Sequence, residues 1–328
     1  MTFEWGVHLL RPADPDQLRE LGRSGVTRVT VHVPWRWIGG LRRGPREWGP
    51  LDHFLDPVKD SGMPTQGVLG PGMPHLLPEA VLSEGGVDDA DYIERFAAYC
   101  ADAAERLTWV TAFRVEDELN AAPLYETLVT RRRRGAAWRR SDFRLRLLRT
   151  AVDAVHEVRP DASIRSTIHA SMPGWRAELR RWLAAGIQLD RVGLSLRPCF
   201  VLPDPTMAER VGEALREARE VVGSGPWART PPKLEVGRIA YPTHRAAFSP
   251  RRQREFLVLA AAQARDAGAV GFHWGPLRDQ AHPDPILGYW PPAQERHFGL
   301  QYYDGTAKAA MDEFRVVATG DRFGEGTV

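Results

Sequence analysis

Strand-like and helix-like segments alternate eight times along this chain of 328 residues, and that alternation restricts the fold more than any other feature. Short apolar runs read as strands near Phe3–Leu9, Val26–Val33, Pro64–Leu69, Ala112–Val115, Ser163–Ile168, Arg191–Leu196, Lys233–Val236 and Ala269–Trp274. Amphipathic patterns of helical length follow them, near Asp16–Ser24, Leu51–Ser61, Asp91–Cys100, Phe143–Val158, Trp175–Ala185, Thr206–Val222, Ser249–Ala267 and Thr306–Val317. Ser249-Pro250 reads as an N-cap with proline in the first turn, and Gly25, Gly62, Gly186, Gly223 and Gly268 stand where helices end in a left-handed residue. Eight βα units predict a parallel (β/α)8 barrel closed by right-handed crossovers. No Gly/Ser-rich linker divides it, so a single domain is expected over residues 1–318, with a frayed polar tail at 319–328. The proline-rich stretch Arg278–Gln294 is expected to be a long ordered loop after the eighth strand.

Composition narrows the partners. Against 44 basic residues stand 42 acidic ones, a net charge of +2, so no strong field argues for nucleic acid or a membrane surface. The run Arg131–Arg134, with Arg139 and Arg140, is a local exception that reads as a solvated loop or an anion-binding rim. Cys100 and Cys199 cannot build a disulfide framework and lack metal-type spacing. His8, His32, His169 and His273 are scattered and make no H-E-x-x-H, so neither a metal nor an organic cofactor is expected. No stretch approaches the roughly 18 apolar residues of a membrane span. The N-terminus has no basic region followed by an apolar one, so no signal peptide is expected and the expected location is cytoplasmic.

In a parallel barrel, chemistry collects at the C-terminal ends of the strands. That rule selects Glu118, after the fourth run, and Glu235, read as closing the seventh. Two carboxylates on well-separated barrel strands suit glycosidic bond cleavage, which needs one acid and one nucleophile or base. Glu118 is expected to be the acid/base, its pKa raised by partial burial and by the nucleophile's charge. Glu235 is expected to be the nucleophile. The same rule brings Asp117, Asn120, Trp35, His169, Arg197 and Trp274 to the substrate. Asp117 would accept hydrogen bonds from a donor-rich sugar position, Trp274 would offer a flat aromatic surface, and Arg197 would meet an anionic substituent or steady Glu235.

These residues carry a resemblance to the retaining β-glycosidases of glycoside hydrolase family 1, within the clan A barrels. Phe3-Glu4-Trp5-Gly6 resembles the family's opening strand, and Pro34-Trp35-Arg36-Trp37-Ile38 is similar to the end of its second. Asp117-Glu118-Leu119-Asn120 stands where the family has N-E-P, and Leu234-Glu235-Val236-Gly237 where it has T-E-N-G. Val270 to Gln280 resembles its G-Y-x-x-W-S-L-x-D-N, and Arg296-His297-Phe298-Gly299-Leu300 its R-F-G-L. The departures lie in the sugar-binding set. Asp117 replaces the asparagine, H-W-D after the third strand and Q-x-E-G of the first are absent, and the second-strand arginine does not align. The resemblance implies retaining hydrolysis of a β-glycosidic bond in a modified small-molecule glycoside or oligosaccharide, through Glu235 and Glu118. The alternative is a glycosidase-like barrel that binds or transforms a sugar-bearing metabolite without hydrolysing it.

Overall fold

A computed structural model describes residues 2–39, 46–70, 89–124, 139–199, 204–225, 230–281 and 293–320. Eight parallel strands close a barrel in sequence order: β1 (Glu4–Leu9), β2 (Arg28–Val33), β3 (Thr65–Leu69), β4 (Ala112–Val115), β5 (Ser163–His169), β6 (Arg191–Leu196), β7 (Lys233–Ile239) and β8 (Gly271–Trp274). The helices among the described residues are α1 (Pro15–Arg23), α2 (Gly49–Ser61), α3 (Asp89–Arg106), α4 (Ser141–Val158), α5 (Trp175–Ala184), α6 (Glu209–Gly223), α7 (Pro250–Asp266) and α8 (Ala309–Thr319). The chain is thus a (β/α)8 barrel.

Local chemistry sets the element ends. The Ser249 hydroxyl accepts the Arg252 N–H at 3.3 Å ahead of Pro250, and Asp14 does the same for Gln17 at 2.8 Å ahead of Pro15. Gly25, Gly62, Gly186 and Gly268 take left-handed backbone, whereas Gly223 is still helical. The last helix runs through Thr319 and closes at Gly320. The expected tail beyond Gly320, most of the proline-rich loop and the run Arg131–Arg134 lie outside the described residues.

Side chains alternate between two cores. Outward residues pack under the helices: Trp5 meets Phe272 and Phe314, and Trp274 meets Phe256 of α7. Inward residues fill the barrel axis, and glycines make the room. A Cβ on Gly6 would lie 2.0 Å from the His273 ring. A Cβ on Gly193 or Gly237 would lie 2.6 Å from the Thr167 methyl group, with the facing Gly Cα at 3.0 Å. Gly193→Val is expected to destabilise the fold by about 1–3 kcal/mol through overpacking. Urea unfolding checks this, and an unchanged midpoint would show that the axis is not closely filled.

Candidate functional site

The barrel interior separates into two polar layers. The lower one, at the N-terminal ends of the strands, is ionic. Glu4 opens β1, Arg28 opens β2, Arg191 opens β6, and Arg165 and Glu235 are each the third residue of their strands. Arg165 Nη1 lies 2.7 Å from Glu4 and 3.1 Å from Glu235, Arg191 Nη1 lies 3.0 Å from Glu235, and Arg28 Nε lies 2.9 Å from Glu4. His273 Nε2 stands 3.1 Å from Glu4. Glu235 is fully buried. Burial by itself would raise its pKa, but Arg165 first, and then His273 and Arg191, outweigh that and lower it to about 2. Donor atoms of Glu4, Glu235 and His273 lie within 4.8 Å of one another. The guanidiniums already neutralise both carboxylates, so this donor set suits ion pairing rather than a cation.

This position differs from the one expected of Glu235, the C-terminal end of its strand. The run containing it does not end there: β7 continues to Ile239, with a register irregularity on the way. Glu235 pairs in register with Gly193, below the Thr167–Gly193–Gly237 layer, and not at the strand's C-terminal end. The inward residue at that end is Arg238, in register with Ser195.

The upper layer is the cup that a barrel normally uses for chemistry. Here β4 turns through Glu116 and Glu118, both in left-handed backbone with φ of 60° and 58°. Non-glycine residues rarely hold this conformation unless their surroundings impose it. At Glu118 the surroundings are Thr167, whose hydroxyl accepts the Glu118 N–H at 3.2 Å, and the turn Leu119–Ala121. The Glu118 carboxylate accepts from the Ser195 hydroxyl and from Arg197 Nη2 at 3.1 Å, and Arg197 Nη1 reaches Glu295 at 3.1 Å. Asp117 accepts from Thr167 and from Arg114 at 3.4 Å, and its other oxygen faces Arg238 at 3.5 Å. Burial favours the neutral Glu118 acid, but Arg197, Arg238 and the Ser195 hydroxyl outweigh it and hold the carboxyl well below the usual range. That is the reverse of the raised pKa expected of a proton donor. Glu118 is an anion across the neutral range.

The remaining candidates divide. Asp117, Glu118, His169 and Arg197 come together at the cup; burial, followed by the opposing pull of Glu118, leaves His169 with a lowered pKa. Asn120 is adjacent, but its amide is used at both ends: Oδ1 accepts the His169 N–H at 2.8 Å and Nδ2 donates to the His169 carbonyl at 3.1 Å, clipping β4 to β5. Trp35 is fully buried, stacked on Tyr99 at 5.5 Å and edge-on to Phe96 and Tyr92 of α3, so it presents no surface to a sugar. Trp274 is also fully buried and points out of the barrel, its indole N–H donating to the Phe298 carbonyl at 2.9 Å. It cannot serve as a platform because His273 takes the inward place beside it. The sequence reading missed Arg114, Thr167 and Arg238. Strict alternation past Gly237 would have turned Arg238 outward; the register irregularity in β7 turns it inward, and the sequence pattern does not mark it.

No protein-family model and no curated protein matches the chain. Solved structures match its fold. An exo-β-1,4-mannosidase from Opitutaceae bacterium strain TAV5 superposes with a TM-score of 0.72 at 17% identity over 97% of this chain and 59% of its own. A family 1 β-glucosidase from Thermotoga maritima gives 0.71 at 14% over 97% and 98%. A family 39 glycoside hydrolase from the gut symbiont Bacteroides cellulosilyticus gives 0.66 at 17% over 97% and 64%. The structural neighbours are thus glycoside hydrolases of several families, and at these identities the barrel is what is shared.

The buried ion pairs of Glu235 make a pH prediction. Its folded pKa lies below the ordinary glutamate value of 4.5, so the stability it contributes is present above about pH 4.5 and is lost as pH falls towards about 2. Glu235→Gln is expected to lose about 3–5 kcal/mol at neutral pH and to show a shallower fall across that window. Parallel acid-unfolding profiles would contradict it.

Proposed function

We propose that the protein recognises a glycoside, or a closely similar polyhydroxylated small molecule, in the cup at the C-terminal ends of its strands. Glu118 is the central carboxylate of that site, and Glu235 takes no part in bond cleavage. The observation that carries this reading is Arg238, which occupies the inward place at the end of β7, in register with the Ser195 that binds Glu118 and 3.5 Å from Asp117. Retaining cleavage needs a second carboxyl about 5–5.5 Å from the first, on the other side of the scissile bond. A guanidinium cannot attack an anomeric carbon, because it stays protonated and offers only donors. Glu235 lies a layer below, bonded to Arg165 and Arg191. An ionised Glu118 does suit a polyol: hydroxyl groups donate strong, charge-assisted hydrogen bonds to a fixed carboxylate. A cavity of about 320 Å3 beside the cup, lined by Ala170, Ser171, Leu196, Arg197, Met207 and Arg210, leaves room for a second portion of the ligand. The fold likeness to glycoside hydrolases supports the sugar class.

A second reading, hydrolysis with Glu118 as the base that activates water, is favoured by the left-handed backbone at Glu116 and Glu118, since such strain collects at reacting groups. Mass spectrometry after exposure to 2-deoxy-2-fluoro-glycosides, with turnover of activated aryl β-glycosides measured alongside, separates the readings. The binding reading expects no adduct on Glu235 and no turnover above background. Turnover that disappears in Glu118→Gln without any adduct would favour the water-activating reading. A covalent adduct on Glu235 would restore double displacement and overturn both.

Binding gives a further prediction. Glu118→Gln keeps the shape of the side chain and removes its charge, so affinity for a bound sugar is expected to fall by about tenfold or more, while Glu235→Gln leaves it within about twofold in folded protein. Isothermal calorimetry checks this, and the opposite ordering would contradict the proposed site.

A further inference from the structure

His32 is fifth of the six residues of β2 and faces the barrel axis, as do Arg28 and Thr30 at the same alternation. It is 2% exposed, and neither of its ring nitrogens has a hydrogen-bond partner. A buried polar side chain with nothing to bond is costly, and native structures keep few of them. His8, 6.5 Å away ring to ring, bonds Gly237 O through Nε2 at 3.1 Å and has no partner at Nδ1. Unsatisfied hydrogen-bonding capacity therefore collects on the axis just below the cup. The charged groups facing His32 are Asp117, Arg238 and Arg114. Burial first, and then the two arginines against the pull of Asp117, lower its pKa to about 4, so at neutral pH the ring is uncharged and carries one donor and one acceptor.

We propose that His32 is a specificity-determining residue of the cup, where it reads a hydroxyl group of an uncharged sugar or polyol. This rests on the cup being the sugar site. A hydroxyl is the group that matches an uncharged imidazole, since each gives one hydrogen bond and takes one. The ligand is uncharged because the cup's own charges are already set against one another: Asp117 against Arg114 and Arg238, and Arg197 against Glu118 and Glu295. A uronate or sugar phosphate placed here would meet Asp117 and Glu118 and would have to compete with them for the arginines.

The test uses the full chain with 15N-labelled histidine rings, titrated with glucose, mannose, galactose and xylose, and at equal concentrations with glucuronate and glucose 6-phosphate. Calorimetry runs on the native protein, on His32→Phe, and on His53→Gln, a change at an exposed position of α2. The expected result is that at least one neutral sugar moves the His32 ring signals, that His32→Phe weakens the same sugar about tenfold or more, and that His53→Gln does not. If His32→Phe does not fold, the native ring signals decide. Neutral sugars that bind without moving those signals would give His32 to an ordered water and overturn the inference while leaving the cup as the sugar site. Glucuronate or glucose 6-phosphate binding more tightly than every neutral sugar would overturn the ligand class. No binding by any of the six would overturn the sugar site itself.

Discussion

Everything in the barrel axis is arranged around the buried ion pairs at the N-terminal ends of the strands. The lower layer of such a barrel is ordinarily filled with branched aliphatic side chains. Here it holds Glu4, Glu235, Arg28, Arg165 and Arg191, with Arg165 and Glu235 essentially inaccessible. Charges that have left water persist only when paired, and removing one partner strands the other. Each member therefore depends on the rest, and the network ties β1, β2, β5, β6 and β7 together from the inside. The axis is filled closely enough to require inward glycines. The His273 ring leaves no space for a Cβ at Gly6, and Gly193 and Gly237 close around Thr167 one layer up.

That arrangement divides the labour between the two ends. Below, charge is fully internal and the role is cohesion. Above, Glu118 and Asp117 are held by residues from β4, β5, β6 and β7, yet they stand where a barrel presents groups to a ligand. The carboxylate at the top is preorganised: its backbone is fixed by Thr167, its side chain by Ser195 and Arg197, and Arg197 is steadied in turn by Glu295. Such a group accepts hydrogen bonds without having to reorganise.

The architecture was legible because the outward residues of the strands are mostly apolar and each helix is amphipathic, so the alternation survives in sequence although the axis is polar. The ends of the strands were less legible, and the site depends on them. Ala112–Val115 was read to the residue, which placed Asp117 and Glu118 at the rim. Lys233–Val236 was read three residues short, because Gly237 and Arg238 interrupt the apolar run before Ile239. That shortfall moved Glu235 from the bottom of the axis to its top. The resemblance at Leu234–Gly237 reinforced the misplacement, since a four-residue pattern does not report its height in a barrel. Trp35 and Trp274 were misjudged for a related reason: position near a strand end does not say which face a side chain takes, and both face the helices.

The central claim is that Glu235 is a structural charge. A double-mutant cycle in unfolding free energy between Glu235→Gln and Arg165→Met tests it most directly. The account predicts a coupling of about 2 kcal/mol or more, because each single change takes one of its partners from a buried charge, whereas the double change removes both members of the pair. A coupling near zero, with Glu235→Gln as stable as the native protein, would contradict it and return Glu235 to the list of reacting groups.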